Sequence, residues 1–266
     1  MSAPTLHFVS GLPRSGSTLL CNILAQNPDL HATHTSGCLD VLFGVRNHWD
    51  QLIEHQAHPL PRTKQRVLQA ILTAYYSDVQ QPVVFDKSRG WLAYIELAEE
   101  LLQRPVKLLV PVRPLPEILA SLEKLHRHTA RVKQPPGEAT HYFQMQTVAG
   151  RCQYWTAGEQ VLGLAANRLR DAITRGLRNR LHFVHFEELA SDPATVLDSI
   201  YHFLGLPSFA HNFANVQQVT TEDDGLHGYV DLHTIRPQVA PVPRQAQHIL
   251  GLELQQRYSL EPWFCG

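Results

Sequence analysis

The sequence has little excess charge of either sign and no long apolar run. Lys plus Arg (23) nearly balances Asp plus Glu (24), which leaves a formal net charge of −1. Without a global positive field, the chain is not expected to bind nucleic acid or an anionic membrane surface. No apolar run approaches the roughly 20 residues that a membrane helix needs, and the N-terminus lacks a basic region followed by a long apolar stretch. We therefore predict no membrane span and no secretion.

Cysteine is scarce as well. The four residues Cys21, Cys38, Cys152 and Cys265 are widely spaced and form no C-x-x-C pair. This spacing argues against both a zinc cluster and a disulfide framework. The sequence therefore predicts reduced thiols, a cytoplasmic location and no bound metal.

Apolar residues, by contrast, are plentiful and regularly ordered. With 266 residues, of which 44% are hydrophobic, the chain can bury a core and is predicted to form one domain over residues 1–266. Short apolar segments alternate with amphipathic ones, which is typical of β-α units around a mainly parallel sheet. The sequence thus predicts an α/β fold with flanking helices, and its candidate strands are residues 6–10, 83–85, 106–110 and 181–184.

Two amphipathic helices are predicted between these strands. Apolar residues recur at three- and four-residue steps after Ser88, from position 91 to position 102. Val67, Ile71 and Tyr75 form a similar stripe. Such stripes predict helices that pack one face against the sheet.

Helix-capping and loop-forming residues predict one further helix and two loops. Asp192 before Pro193 is typical of an N-cap with proline in the first turn, and Gly205 ends the same helix. Residues 132–140 and 220–243 are rich in proline and polar residues and are predicted to be loops. Because long connections in compact domains often bind ligands, we interpret residues 220–243 as a lid or binding loop.

The most informative stretch is residues 11–20, GLPRSGSTLL, which lies between the first strand and an apolar helix. A glycine-flanked turn that enters a helix points backbone N–H groups and the positive end of the helix dipole at one spot. Arg14, Ser15, Ser17 and Thr18 add a guanidinium and hydroxyl groups around that spot. The turn therefore predicts a site for a phosphate or sulfate group.

This turn is not the usual nucleoside triphosphate loop, G-x-x-x-x-G-K-[ST]. Ser17 follows Gly16 where that motif has its lysine, and the cation of the turn is Arg14. Without that lysine and its magnesium-binding partner, ATP or GTP hydrolysis is disfavoured.

Residues 13–20, PRSGSTLL, resemble the 5′-phosphosulfate loop of the sulfotransferases, which use 3′-phosphoadenosine 5′-phosphosulfate (PAPS) as donor. The match is most similar to the tyrosylprotein and bacterial branches. It implies a P-loop-like fold and a PAPS site. The residues that it implies for the 5′-phosphosulfate are Arg14, Ser15, Gly16, Ser17 and Thr18.

A second motif supports the first. Residues 107–112 form an apolar strand that ends in Arg113, and Ser121 follows eight positions later on a helix. Two helical turns bring the Ser121 hydroxyl back to the side of Arg113, so both can converge on one anion. In sulfotransferases this pair binds the 3′-phosphate of the donor, and the resemblance implies that role here. A shorter similarity, residues 235–237, implies that Arg236 closes over the nucleotide.

The resemblance also implies a cation that meets the charge on the leaving phosphate. Lys87 follows the buried strand at residues 83–85, at the edge where ligands of open α/β sheets collect. Related sulfotransferases have a lysine after the equivalent strand. Lys87 is therefore the first catalytic candidate and Arg14 the second.

The base that takes the acceptor's proton is left open. The tyrosylprotein branch has a glutamate pair after the first helix, whereas residues 31–36 of this chain read HATHTS. His34 is a suitable base because imidazole titrates near neutrality, and Asp40 is the alternative.

The motifs do not name the acceptor or the oligomeric state. The balanced charge disfavours a polyanionic polysaccharide, and the missing glutamate pair removes the reason to infer a protein tyrosine. A small molecule or a lipid is favoured. Candidates for stacking on adenine are Tyr154, Trp155, His185 and Phe186.

Two other functions fit the same residues. One is a magnesium-dependent P-loop kinase of a small metabolite, in which Arg14 and Lys87 replace the missing loop lysine. The other is a module that keeps the nucleotide pocket but transfers nothing.

Overall fold

The computed structural model of the protein describes residues 4–260, and these residues contain a five-stranded sheet in which every pairing is parallel. The predicted α/β class with a parallel sheet is confirmed. In spatial order, the strands are β2 (Leu30–Thr35), β3 (Val83–Lys87), β1 (Thr5–Val9), β4 (Leu108–Val112) and β5 (Leu181–His185).

Strand β1 lies at the centre, between β3 and β4. Its last residue, Val9, pairs with Lys87 of β3, so these two strands end at the same level. The chain then leaves β1 through Gly11 into the first helix. Because β3 and β4 lie on opposite sides of β1, this is the point at which parallel α/β sheets open a crevice for ligands.

Helices follow each strand and cover both faces of the sheet. The longer helices are α1 (Ser17–Leu24), α2 (Cys38–Gln51), α4 (Pro61–Ala74), α5 (Ile95–Leu102), α6 (Leu115–Thr129), α8 (Val148–Thr156), α9 (Val161–Thr174), α11 (Pro193–Leu204) and α13 (Leu252–Ser259). The shorter ones are α3 (Ile53–Ala57), α7 (Tyr142–Met145), α10 (Phe186–Ser191) and α12 (Ala246–Leu250), with 3₁₀ turns at Trp91–Ala93 and Leu177–Arg180.

Strand periodicity divides the buried residues into two cores. Leu6 and Phe8 of β1 face the core under α2, α4, α5, α6 and α9, whereas Val9 faces the core under α1 and α11. This alternation follows from the two-residue repeat of a strand. Apolar side chains on both faces of β1 explain why the strand is buried at the centre.

Several local predictions hold. Helix α11 begins after Asp192, whose side chain accepts a hydrogen bond from the Thr195 amide at 3.3 Å, and Gly205 ends it in the left-handed region at φ 74°. The loops at residues 132–140 and 220–243 contain neither helix nor strand. Cys21, Cys38 and Cys152 are buried free thiols, while Cys265 lies outside the described residues.

The stripe predicted for α4 is wrong by one position. Leu68 and Leu72 are its buried residues, and Tyr75 is 44% exposed. Tyr76, one position later, is the buried tyrosine because its hydroxyl hydrogen-bonds Asp86 inside the core.

Strand β2 was not predicted. Its sequence, LHATHT, carries four polar residues in six and pairs only with β3 among the described strands. An edge strand needs one apolar face at most, so its apolar signal is weak. Within residues 4–260, every helix is too short or too polar to cross a membrane.

Candidate functional site

A cavity of about 760 Å³ opens at the carboxyl edge of the sheet. That volume lies within the range of sites for small molecules and cofactors. Its walls come from the turn after β1, the ends of β3 and β4, helix α6 and the loop at residues 220–243. The polar and aromatic lining includes Arg14, Ser17, Thr18, Lys87, Arg89, Arg113, Ser121, Tyr154, Trp155, Phe186, His227, Tyr229, His233 and Arg236.

The turn after β1 is held in a tight geometry. Arg14 and Gly16 both adopt positive φ angles, 57° and 85°. A Cβ atom at Gly16 would lie 2.6 Å from the Phe186 ring, so both the backbone and the packing require glycine there. Helix α1 begins at the next residue, which directs its free N–H groups toward the cavity.

Ser15 differs from its neighbours in the turn. Its hydroxyl hydrogen-bonds the carbonyl oxygens of Leu12 and, at 2.9 Å, Pro111. The residue is 1% exposed and is not part of the cavity lining. The Ser15 side chain thus fastens the turn to β4, whereas Ser17 and Thr18 face the cavity.

Arg14 connects the turn to the second predicted anion site. Its Nε donates to Ser121 Oγ at 3.1 Å, and one terminal nitrogen donates to the Leu232 carbonyl. Burial lowers the pKa of Arg14, and the positive charge of Arg113 lowers it further. Two cations that line the same cavity and repel each other favour an anionic ligand between them.

Arg113 is fixed at the end of β4. Its Nε donates to Glu187 at 3.0 Å, and its guanidinium lies over the Phe186 ring at 4.3 Å. Glu117, one helical turn away, lies 4.0 Å from it. The structure therefore brings the predicted pair of Arg113 and Ser121 onto the same cavity as the turn.

Lys87 reaches the turn from the neighbouring strand. Its backbone N–H donates to Thr33 Oγ1 at 2.9 Å. Its Nζ lies 3.5 Å from Thr18 Oγ1 and 3.4 Å from Glu222 Oε1. The ammonium is thus beside the first residues of α1.

Asp86 does not pair with Lys87. The two side chains point to opposite faces of β3, as neighbours in a strand do. Burial raises the pKa of Asp86, and Trp91, Tyr76 and Ser36 all donate hydrogen bonds to its carboxyl group. Asp86 belongs to the core, which leaves Lys87 to the cavity.

Glu222 is a site residue that the sequence analysis missed. Besides Lys87, its carboxylate accepts hydrogen bonds from the Thr35 amide at 3.2 Å and hydroxyl at 3.1 Å. Burial acts to raise its pKa, but Lys87 and Thr35 together lower it to about 2. No motif surrounds this glutamate, so only the fold reveals its position.

A histidine and an aspartate from the same loop form a second missed group. His233 Nδ1 lies 2.6 Å from Asp224 Oδ1, and the His233 amide donates to Asp224 Oδ2 at 3.0 Å. Because a carboxylate only accepts, Nδ1 carries the proton and Nε2 keeps its lone pair. Burial lowers the pKa of His233, which favours the neutral imidazole.

Three side chains of this loop are close enough to hold a divalent cation. Ligand atoms of Glu222, His227 and His233 lie within 4.8 Å of one another. His227 Nε2 is 3.1 Å from Glu222 Oε2. The Lys87 ammonium occupies the other carboxylate oxygen and would repel a metal ion there.

The two bases that the sequence offered lie elsewhere. His34 is exposed and its Nδ1 contacts the Thr35 carbonyl at 2.8 Å. Asp40 is exposed on α2. The described lining of the cavity includes neither of them, whereas Arg236 lies on its exposed rim. Of the four adenine candidates, Tyr154, Trp155 and Phe186 line the cavity and His185 does not.

Comparison with known proteins assigns a family to this arrangement. A family model described as "Sulfotransferase family" matches residues 7–211. No curated protein matches the chain individually.

Solved structures share the fold. The sulfotransferase domain from the curacin biosynthetic pathway superposes with a TM-score of 0.57 at 16% identity, over 97% of both chains. Mouse sulfotransferase SULT7A1, crystallised with PAP, gives a TM-score of 0.54 at 14% identity, over 97% of this chain and 82% of that one. These neighbours confirm the predicted P-loop-like architecture, and the family match covers most of the sequence. The chain therefore belongs to the sulfotransferase family.

Proposed function

We propose that the protein transfers a sulfuryl group from PAPS to a hydroxyl or amine of a small acceptor, without a metal ion. One observation carries the proposal: Arg14, Lys87, Arg113 and Ser121 line a single cavity at the carboxyl edge of the sheet. A fold neighbour was crystallised with PAP, which is consistent with a nucleotide in this place.

The cavity offers a separate contact to each anionic end of such a donor. The N–H groups at the start of α1, with Ser17 and Thr18, suit the 5′-phosphosulfate. Arg113 and Ser121 suit the 3′-phosphate. Because β4 and β3 flank β1, the donor would lie across β1 with its sulfuryl end toward Lys87.

The reaction that we propose is an in-line displacement at sulfur. The bond between sulfur and the bridging oxygen of the phosphate breaks while the acceptor oxygen or nitrogen bonds to sulfur. Negative charge grows on the bridging oxygen, and Lys87 stabilises it. Arg14 supplies a second positive charge beside the turn. Cations placed where charge develops lower the barrier because the site is already organised before reaction.

We propose that His233, and not His34 or Asp40, is the base that takes the proton of the acceptor. His233 lines the cavity, and Asp224 holds its ring with Nε2 free to accept. Glu222 is nearer to Lys87, but a carboxylate with a pKa of about 2 is a poor proton acceptor. The Nδ1 contact to Asp224 also stabilises the imidazolium that forms.

Nucleotide binding tests the proposal against a P-loop kinase. We expect adenosine 3′,5′-bisphosphate to raise the melting temperature by several degrees and ATP with magnesium to raise it far less. The opposite order would support the kinase and contradict the proposal.

A further inference from the structure

Arg89 is a cation of the cavity that none of the roles above uses. It lies two residues beyond Lys87, on the turn that follows β3, and it is an exposed residue that lines the cavity. No hydrogen bond or ion pair joins its guanidinium to another side chain or carbonyl within residues 4–260. Protein atoms surround it closely enough that burial lowers the pKa of Arg89, and Arg168 adds repulsion.

The neighbouring cations each have a partner. Arg14 bonds Ser121, Arg113 bonds Glu187, and Lys87 contacts Glu222. The charge of Glu222 attracts Arg89, but the two carboxylate oxygens of Glu222 are already held by Lys87, Thr35 and His227. Arg89 therefore keeps its hydrogen-bond donors free for a ligand.

The order of the strands places Arg89 on the acceptor's side. Arg113 directly follows β4, on one side of β1, and Lys87 ends β3 on the other. If the donor crosses β1 as proposed, its sulfuryl group points toward β3. Arg89 follows the same strand two residues after Lys87, so we place it in the sulfuryl half of the cavity, on the opposite side of β1 from Arg113.

Aromatic groups surround this part of the cavity. Tyr229 interacts electrostatically with Arg89. Burial raises the pKa of Tyr229, and the neighbouring Tyr154 raises it further. Trp155 also lines the cavity beside these rings. A guanidinium among aromatic walls suits a ligand with an apolar body and one anionic end.

We propose that Arg89 binds a carboxylate on the acceptor, so that the substrate is a hydroxy or amino compound that also carries a carboxylate. This inference rests on the proposed function, since it needs the donor to occupy the other half of the cavity. A carboxylate fits best because a single guanidinium offers two parallel N–H donors to its two oxygens. The phosphate ends of the donor, by contrast, each have several contacts of their own.

Matched acids and amides test the assignment. With adenosine 3′,5′-bisphosphate saturating, calorimetry would measure the affinities of aryl and alkyl hydroxycarboxylates and of their primary amides. We expect acids to bind wild type at least about tenfold more tightly than their amides. In Arg89→Met the affinity of each acid should fall to that of its amide, while the amides are unchanged. Arg62→Met, which removes an exposed arginine on α4 outside the cavity lining, should behave as wild type.

Three outcomes would overturn the inference. They are acids that bind no better than amides, a preference for acids that survives in Arg89→Met, and loss of nucleotide binding in Arg89→Met as large as in Arg113→Met. Each leaves the proposed function standing if wild type binds adenosine 3′,5′-bisphosphate. Failure of wild type to bind that nucleotide would refute the proposed function itself.

Discussion

At the scale of single residues, Lys87 links strand β3 to the turn between β1 and α1 and to the loop at residues 220–243. Its ammonium lies within 3.5 Å of Thr18 and Glu222 and has little contact with bulk water. A cation in such a place attracts a nearby negative charge more strongly than one in solvent does, because the surrounding dielectric constant is lower. This position, more than the identity of the residue, makes Lys87 the candidate for meeting charge on the leaving oxygen.

We predict that Lys87→Ala lowers kcat by about 10²–10³-fold, the loss typical of removing one group that stabilises a developing anion. Binding of adenosine 3′,5′-bisphosphate should fall much less. The measurement is release of that nucleotide from PAPS with a panel of acceptors. Lys64→Ala, which removes a half-buried lysine paired with Asp50 at 2.6 Å outside the cavity lining, is the matched control. Unchanged turnover in Lys87→Ala would assign the role to another cation, and no turnover in wild type would favour a binding module.

The lowered pKa of His233 leads to a prediction for the pH dependence of the reaction. Because burial lowers the pKa of His233 below its ordinary 6.5, the neutral base predominates at neutral pH and is lost as pH falls through that lowered value. We expect kcat/KM to rise with pH along an acid limb whose midpoint lies below 6.5. In Asp224→Asn the midpoint should move lower still, since the hydrogen bond that His233 donates to Asp224 raises the pKa of His233.

Two variants separate His233 from the base suggested by the sequence. His233→Gln should remove the acid limb together with most of the rate, by about 10²–10⁴-fold. His34→Gln should leave both unchanged, since His34 is exposed outside the cavity. The reverse result would restore His34 as the base.

At the scale of elements, the turn between β1 and α1 depends on Gly16. Two separate constraints act there, the positive φ angle and the 2.6 Å approach of Phe186 to a Cβ atom. Gly176 has a similar φ of 78°, but a Cβ atom at that position would meet nothing within 4 Å. A comparison of Gly16 with Gly176 therefore separates the cost of backbone strain from the cost of steric contact with Phe186.

We predict that Gly176→Ala costs about 1 kcal/mol of unfolding free energy, the strain of a left-handed residue. Gly16→Ala should cost at least about twice as much, because the methyl group must also displace the Phe186 ring. Gly16→Ala should in addition weaken nucleotide binding, whereas Gly176→Ala should not. Denaturant titration and calorimetry would measure the two effects. Equal costs in both variants would mean that the Phe186 contact is unimportant.

The elements also mark how far the sequence predicts the structure. Four strands and helix α11 carry strong local signals, namely short apolar runs and a proline-glycine frame. Strand β2 lacks such a signal. Its side chains are largely polar, and its pairing with β3 stabilises it as a strand. The anion turn was predictable from the alignment of glycine and hydroxyl residues before a helix. Glu222 and His233 were not, because the irregular loop that brings them to Lys87 has no periodic pattern.

At the scale of the whole molecule, a buried histidine links stability to pH. His7 lies in the central strand, 4% exposed, with its Nδ1 unpaired among the described atoms. Burial, and then the charges of Arg104 and Lys107, lower its pKa from 6.5 to about 4. The unfolded chain therefore binds more protons than the native one between these two values, so native stability falls as pH decreases through that window.

We predict a loss of roughly 3 kcal/mol of unfolding free energy between pH 6.5 and pH 4 from this residue. His7→Phe should remove that part of the pH dependence. Denaturant unfolding at a series of pH values would measure both. A pH dependence that is identical in wild type and His7→Phe would contradict the assignment.

The fold as a whole makes one cavity out of residues from distant parts of the chain. β1 supplies the turn, β3 supplies Lys87, and β4 with α6 supplies Arg113 and Ser121. The parallel sheet brings these positions together because all its strands end at the same edge. The central claim is that a single nucleotide contacts both anion sites at once.

Calorimetric comparison of adenosine 3′,5′-bisphosphate with adenosine 5′-monophosphate tests this claim most directly, because the two ligands differ only in the 3′-phosphate. We predict that wild type binds the bisphosphate at least tenfold more tightly, and that Arg113→Met and Ser121→Ala each reduce this preference while affinity for the monophosphate is kept. Equal affinity of wild type for the two nucleotides would contradict the account.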